Sequence, residues 1–523
     1  MSISTVIKSI QDIMRKDAGV DGDAQRLGQL SWLLFLKIFD AQEEALEFEQ
    51  GDAYREPIPD AYLWRFWAAD AQGMTGDELL GFVNDELFPD LKNLTAPINT
   101  NPRGFVVKEA FSDAYNYMKN GTLLRQVINK LNEVDFTRSE ERHLFGDIYE
   151  QILRDLQSAG NAGEFYTPRA VTQFMVNRVN PRLGERILDP ACGTGGFLAN
   201  AVDHLRAQVQ TASDHVTLQG QIFGVEKKQL PHLLCVTNML LHGIEVPVQI
   251  RHDNTLNRPL SSWDEADQVA VVITNPPFGG TEEDGIGKNF PAEFQTRETA
   301  DLFLQLIIEV LHDGGRAAVV LPDGTLFGEG VKTKIKKLLL DECNLHTIVR
   351  LPNGVFNPYT GIKTNLLFFT KGQPTQRVWF YEHPYPAGVK NYSKTRPMKF
   401  DEFQAEIDWW GDEADGFAAR VTTQQAWSVS IAEIVGRNYN LDIKNPHVVA
   451  QESHDPEVLL ADYARQQAEI QALRDQLKGI LAGALEKTLT PTPLPLSGRG
   501  AKPFSSSPST ASRERGLGGE GLL

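Results

Sequence analysis

The sequence predicts an α/β fold: a parallel-dominated sheet with helices on its faces, preceded by an all-helical region and followed by one long helix. Three observations predict it. Val271-Val272-Ile273-Thr274 is a short β-branched run of the kind that forms a strand buried on both faces, and Pro276-Pro277 ends it because neither proline can donate to a ladder. Ile187-Leu188-Asp189 is a second short strand, followed by a glycine turn and a helix, as in the first βα unit of a doubly wound sheet. Beyond it, strand-like and helix-like stretches alternate.

The elements follow in order. Val6, Ile7, Ile10, Ile13 and Met14 share one helical face, and Leu27, Leu30, Leu33, Leu34 and Ile38 share another. Phe111, Ala114, Tyr115 and Met118 predict a further helix, and Leu123, Leu124, Val127, Ile128 and Leu131 resume after the Asn120-Gly121 break. Residues 144–156 repeat apolar side chains at three- and four-residue spacing and complete a helical domain set at 1–160. That domain shows no recognisable chemistry, so packing on the catalytic part and on partners is its expected role. The small residues 158–163 break the helix. Thr167 is then an expected N-cap with Pro168 at the first helical position.

The catalytic domain is set at 161–450. Residues 221–225 predict a strand ending at Glu226, and 246–250 a strand followed by Asp253-Asn254. After Phe278, Gly279-Gly280 and the polar run to Thr299 predict a long loop over the substrate. Residues 302–311 form an apolar helix ended by Gly314-Gly315, 316–321 a strand, 338–343 the close of another helix, and 347–351 with 365–370 the last pair of strands. The segments 401–411 and 437–442 offer no chemistry. Residues 456–485 predict a long helix with Tyr463, Ile470, Leu477 and Ala484 at heptad spacing and Leu459, Leu473 and Ile480 on the neighbouring seam, a partner-docking helix set at 451–486. The Pro-, Ser- and Gly-rich residues 487–523 are expected to be disordered.

Composition narrows the class. With 41% apolar and 23% charged residues, the chain is of ordinary globular make-up. No apolar run of about 18 residues exists, so no membrane span is expected, and the start lacks a signal pattern. Cys192, Cys235 and Cys343 make neither a disulfide framework nor a metal-site spacing, so no metal is expected and the cytoplasm is the expected compartment. A net charge of −18 excludes a protein that grips DNA with its whole surface; it leaves a local groove, or a partner that supplies the phosphate contacts.

The chemistry concentrates in two motifs. Asn275-Pro276-Pro277-Phe278 leaves the sheet at a strand's carboxyl end, where open α/β sheets bind ligands. An exocyclic amine on a nucleobase is a poor nucleophile because its lone pair is delocalised into the ring. Two acceptors aimed at its hydrogens free that pair. The Asn275 side-chain carbonyl and the Pro276 main-chain carbonyl supply them, the prolines fix their direction, and Phe278 offers a face for an extruded base. A plain surface turn is the alternative, since Asn-Pro is ordinary in turns. In the second motif, Asp189 closes a strand and Gly193, Thr194, Gly195 and Gly196 turn into a helix. This is neither G-x-G-x-x-G nor a P-loop, and an acidic strand end suits an amine-bearing cation, pointing to S-adenosylmethionine over NAD. Glu226 stands where ribose hydroxyls are taken, although farther beyond Asp189 than the roughly 20 residues of the dinucleotide fold. Asp253 stands where the adenine ring of the cofactor would lie.

Together these motifs resemble the methylation subunit of type I restriction–modification systems, an N6-adenine DNA methyltransferase, over about residues 1–485. The resemblance implies a Rossmann-like S-adenosylmethionine-dependent sheet. It implies that Glu164, Phe165, Tyr166, Thr167, Pro168, Arg169, Thr194, Gly195, Gly196 and Glu226 line the S-adenosylmethionine site, and that Asn275 through Phe278 hold the flipped adenine. It also implies double-stranded DNA as substrate, a specificity subunit joined by two copies of this chain, and a translocating restriction subunit. Transfer would be a direct displacement at the sulfonium methyl. A glutamine-N5 or cytosine-N4 methyltransferase, or a non-catalytic scaffold of the same fold, are the alternatives.

Overall fold

The computed structural model describes residues 3–134, 167–357, 361–393, 396–447 and 456–488. The predicted helix at 144–156, the break at 158–163, Glu164, Phe165, Tyr166 and the tail from 489 lie outside the described residues. The chain divides into two units, Met1–Val448 and Val449–Leu523.

The first unit opens with helices. α1 (Ile3–Met14) and α2 (Asp23–Gln50) form on the predicted faces, and Ile10, Leu30, Leu33 and Ile38 are buried. α3 (Pro102–Phe111) is capped by Asn101, whose side chain accepts from Gly104 N at 2.9 Å. The predicted continuation through Met118 does not form. Instead Gln29 Oε1 accepts from Tyr117 N at 2.8 Å and Met118 N at 3.3 Å, which holds that stretch extended, and Tyr115 is left exposed. α4 (Gly121–Leu131) begins at its predicted break, with Asn120 accepting from Leu123 N at 3.0 Å.

The sheet has nine strands: β1 (Ile187–Asp189), β2 (Ile222–Glu226), β3 (Ile250–His252), β4 (Val269–Thr274), β5 (Leu311–Pro322), β6 (Cys343–Arg350), β7 (Thr364–Lys371), β8 (Arg377–Glu382) and β9 (Ala426–Ser430). Their order is β3-β2-β1-β4-β5-β7-β6-β8-β9. β1 to β5 are mutually parallel, and β7 runs antiparallel between β5 and β6. β8 and β9 extend the sheet beyond the last predicted pair. Two boundaries differ from expectation. β3 starts where its predicted strand ended, because Pro247 has no N–H and Val248 N turns back onto Val246 O at 2.8 Å. Gly314-Gly315 does not separate helix from strand but sits inside β5, where the register with β4 jumps from Val269–Leu311 to Val271–Arg316.

Helices α5 (Arg169–Val179), α6 (Gly196–Arg206), α7 (Gln229–Leu241), α8 (Thr299–Val310) and α9 (Val331–Glu342) belong to the sheet region. The helical region docks on α7: Gln42 Nε2 donates to Leu240 O at 2.9 Å, and Gln229 Nε2 reaches the last turn of α3 at Ala110 O, 3.0 Å. The two segments without assigned chemistry are structural. Phe403 stacks on Phe174 of α5 with ring centroids 4.2 Å apart, and Asp442 pairs with Arg350 at 2.7 Å. The second unit contains α10 (Pro456–Thr488), on which Leu460, Tyr463, Ile470, Leu473 and Leu477 are exposed. No described helix is long and apolar enough to cross a membrane.

Candidate active site

Three strand ends meet at one edge. β1 lies between β2 and β4, with Asp189 opposite Gly224 and Leu188 opposite Val272, so Asp189, Glu226 and Thr274 finish together. Asp189 is 1% exposed, and its Oδ1 accepts from Thr274 Oγ1 at 2.6 Å and from Ala191 N at 3.2 Å. Burial pushes its pKa up to about 7 against the pull of those two donors, and the nearby Glu226 charge adds to the rise. Glu226 braces the glycine turn: Oε2 accepts from Gly193 N at 2.9 Å and Oε1 from Lys228 N at 2.8 Å. Gly195 has φ 80°, and a Cβ there would stand 2.7 Å from Cys235 Sγ on α7. Only glycine suits both demands. Sequence reasoning missed two supports of this turn: Asn238 Nδ2 donates to Thr194 O at 3.1 Å, and Asn200 Nδ2 donates to Gly196 O at 2.9 Å. Both are interior helix amides whose purpose is legible only once the helices are packed.

At the end of β4, Asn275 Nδ2 donates to Thr167 Oγ1 at 2.8 Å, while Asn275 Oδ1 is buried with no hydrogen-bond partner among the described residues. Burying such an acceptor unpaired is costly, so it marks a place for a donor. Thr167 therefore departs from its expected role. Its hydroxyl serves Asn275, Pro168 with ψ 137° takes the cap position, and the helix opens one residue late, at Arg169. Phe278 also departs: it is 2% exposed and sits edge-on to Phe356, centroids 6.3 Å apart, so it presents no free face for a base.

A cleft of about 350 Å³ lies among these groups, a size that suits a nucleoside-sized ligand. Thr167, Asp189, Gly193, Thr194, Gly196, Glu226, Asn275 and Pro277 line it. Pro168, Arg169, Gly195, Asp253, Pro276 and Phe278 are not among its lining residues. Asp253 is exposed, and its carboxylate takes the N–H of Asn254 at 2.7 Å. Residues not singled out beforehand complete the walls: Phe197 and Pro231 add apolar surface, and Glu282 a third carboxylate beside Lys227 and Lys228. A partly apolar cleft carrying three carboxylates and one unpaired acceptor suits a cationic nucleoside next to an amine.

The comparisons agree. The N-6 DNA Methylase family matches residues 140–455, and the HsdM N-terminal domain family matches residues 3–131. The chain is 80% identical over 486 residues to the Type I restriction enzyme EcoEI methylase subunit of Escherichia coli, covering 93% of this chain and 99% of that one. It is 30% identical over 442 residues to the EcoKI methylase subunit of Escherichia coli strain K12, covering 80% and 77%. Among solved structures it is similar to a modification subunit from Vibrio vulnificus YJ016 assigned to a type I restriction enzyme, with 44% identity, a TM-score of 0.77 and coverage of 87% and 98%. It is also similar to a chain of a type I restriction–modification system solved for its complex assembly, with 37% identity, a TM-score of 0.76 and coverage of 92% and 99%.

Proposed function

Because the chain belongs to the methylase subunits of type I restriction–modification systems, which are N6-adenine DNA methyltransferases, we propose that methyl transfer takes place in the cleft between Asp189 and Asn275, with S-adenosylmethionine as donor. The observation that carries this is the buried, unpaired Oδ1 of Asn275. An adenine amine presented there donates one hydrogen to Oδ1 and the other to the Pro276 carbonyl. Thr167 keeps the amide turned so that its oxygen, not its nitrogen, faces the base. When bound, S-adenosylmethionine supplies a sulfonium methyl open to in-line displacement. Gly193, Thr194 and Gly196 bring main chain close to the cofactor, Asp189 and Glu226 face its positive charge and hydroxyls, and Thr167 adds to the wall. Rate enhancement then comes from positioning and from acceptors for the charge that develops on the amine.

We further propose that a specificity subunit reads the DNA, that two copies of this chain join it through α10, and that a restriction and translocation subunit completes the assembly in the cytoplasm. The exposed Tyr463, Ile470, Leu473 and Leu477 and the net charge of −18 support a subunit that borrows its phosphate contacts. The glutamine, cytosine and scaffold alternatives gain no observation and are set aside.

The test is Asn275→Ala in the assembled methylase. Incorporation of labelled methyl into DNA should fall by about 10²-fold or more, as for loss of a preorganised polar group that meets the developing charge, while the cofactor stays bound. Normal incorporation overturns the assignment.

A further inference from the structure

The loop that follows Asn275 does not hang free. Residues 280–282 pair with 297–299: Thr281 bridges Glu298, Glu282 N donates to Arg297 O at 2.9 Å, and Thr299 N donates to Gly280 O at 3.2 Å. This stem carries the Glu282 carboxylate, only 11% exposed, into the wall of the cleft. There it meets groups from the opposite side. Lys227, just after β2, places Nζ 3.4 Å from Glu282 Oε2 and 3.1 Å from Glu283 Oε1, and Asn254, just after β3, places Nδ2 3.4 Å from Glu282 Oε2. Farther along, Asn289 Nδ2 donates to Leu256 O at 2.9 Å and to Asn257 O at 3.0 Å. The loop thus spans from the β4 end to the β2 and β3 ends, with a firm neutral tether at Asn289 and a looser charged one at Glu282.

We infer that Glu282 and Lys227 form the latch of this loop over the cofactor cleft, making Glu282 a positioning residue that sets how long the cofactor stays. The inference rests on the cofactor reading of the cleft given above. A 3.4 Å contact between a half-exposed Lys227 and a sheltered carboxylate is weak enough to break at each exchange, while the Asn289 tether keeps the loop in place. Glu282 follows Asn275 across the short link 276–281, so closing the latch also steadies the acceptor.

The experiment measures dissociation of S-adenosylhomocysteine from the full chain by stopped-flow displacement. Glu282→Gln and Lys227→Met should each speed release about fivefold, the upper end for a partly screened ion pair, and should raise the KM for cofactor more than they lower kcat. Release from the wild type should quicken with salt, and release from Lys227→Met, which lacks the cation of both pairs, should not. In a Glu283→Gln background, which spares the reversed charge a like neighbour, the reversed pair K227E/E282K should return to within about twofold of that background, the residue of a restored ion pair. Unchanged release in Glu282→Gln, or a reversed pair as fast as the single variants, overturns the latch. If Asn275→Ala abolishes methylation while Glu282→Gln changes nothing, the latch alone fails. If Asn275→Ala methylates normally, the reading of the cleft fails with it.

Discussion

Thr274 Oγ1 donates to Asp189 Oδ1 at 2.6 Å, tying the last residue of β4 to the last residue of β1 beneath the cleft. The bond does not offset burial, and Asp189 keeps its proton up to about pH 7. Below 3.8 both folded and unfolded chains are protonated at this site; between 3.8 and about 7 the unfolded chain ionises and the folded one does not. The stability this group contributes is therefore fully present below 3.8 and is lost as pH rises to about 7, a change on the order of 4 kcal/mol. Asp189→Asn should remove this part of the slope, measured by urea unfolding between pH 4.5 and 7.5. A cation seated beside Asp189 favours its ionised form, so S-adenosylmethionine should bind more tightly at pH 8 than at pH 6 in the wild type and equally in the variant, as read by equilibrium dialysis.

Thr167 lines the cleft, and its hydroxyl should matter chiefly through Asn275. Thr167→Ala removes the acceptor for Nδ2 and lets the amide turn, which lowers kcat by about two- to tenfold, the worth of one hydrogen bond. Thr167→Ser keeps the oxygen and should restore the rate. Single-turnover methylation by the two variants checks this, with cofactor KM moving less than kcat.

Gly195 tests the turn. Gly195→Ala must hold an alanine at φ 80° and push a methyl against Cys235, costing about 1–2 kcal/mol for the left-handed backbone and about 1–3 kcal/mol for the overpacking. Pairing it with Cys235→Ala relieves the second part and leaves the first, so the double variant should unfold at a denaturant midpoint between that of Gly195→Ala and that of Cys235→Ala.

What was legible in the sequence was what local chemistry dictates. The β4 run followed by two prolines, the Asp189 strand with its glycine turn, and the helix that starts at the Asn120-Gly121 break are set by neighbours in the chain. What was not legible depends on partners far away in sequence. Gln29 stops a helix by capturing Tyr117 and Met118, and Asn275 takes Thr167 away from a helix start. Glu282 carried no motif, and only the folded loop brings it beside Lys227.

Phe278 separates packing from recognition. In this structure the ring is edge-on to Phe356 and 2% exposed, so a base can stack on it only if the ring leaves that seat. Phe278→Ala should cost about 3–5 kcal/mol, as for other buried aromatics cut back to a methyl, and its loss of activity would say little about the base. Phe278→Leu keeps most of the volume and should cost less than about 1.5 kcal/mol. If the aromatic face receives the extruded adenine, the leucine variant should fold normally yet methylate about tenfold more slowly, since base–aromatic stacking is worth about 1–3 kcal/mol. Denaturant midpoints and single-turnover rates on the same preparation decide it. A stable leucine variant with an undiminished rate assigns the ring to holding Phe356 and leaves recognition of the base to Asn275 and the prolines.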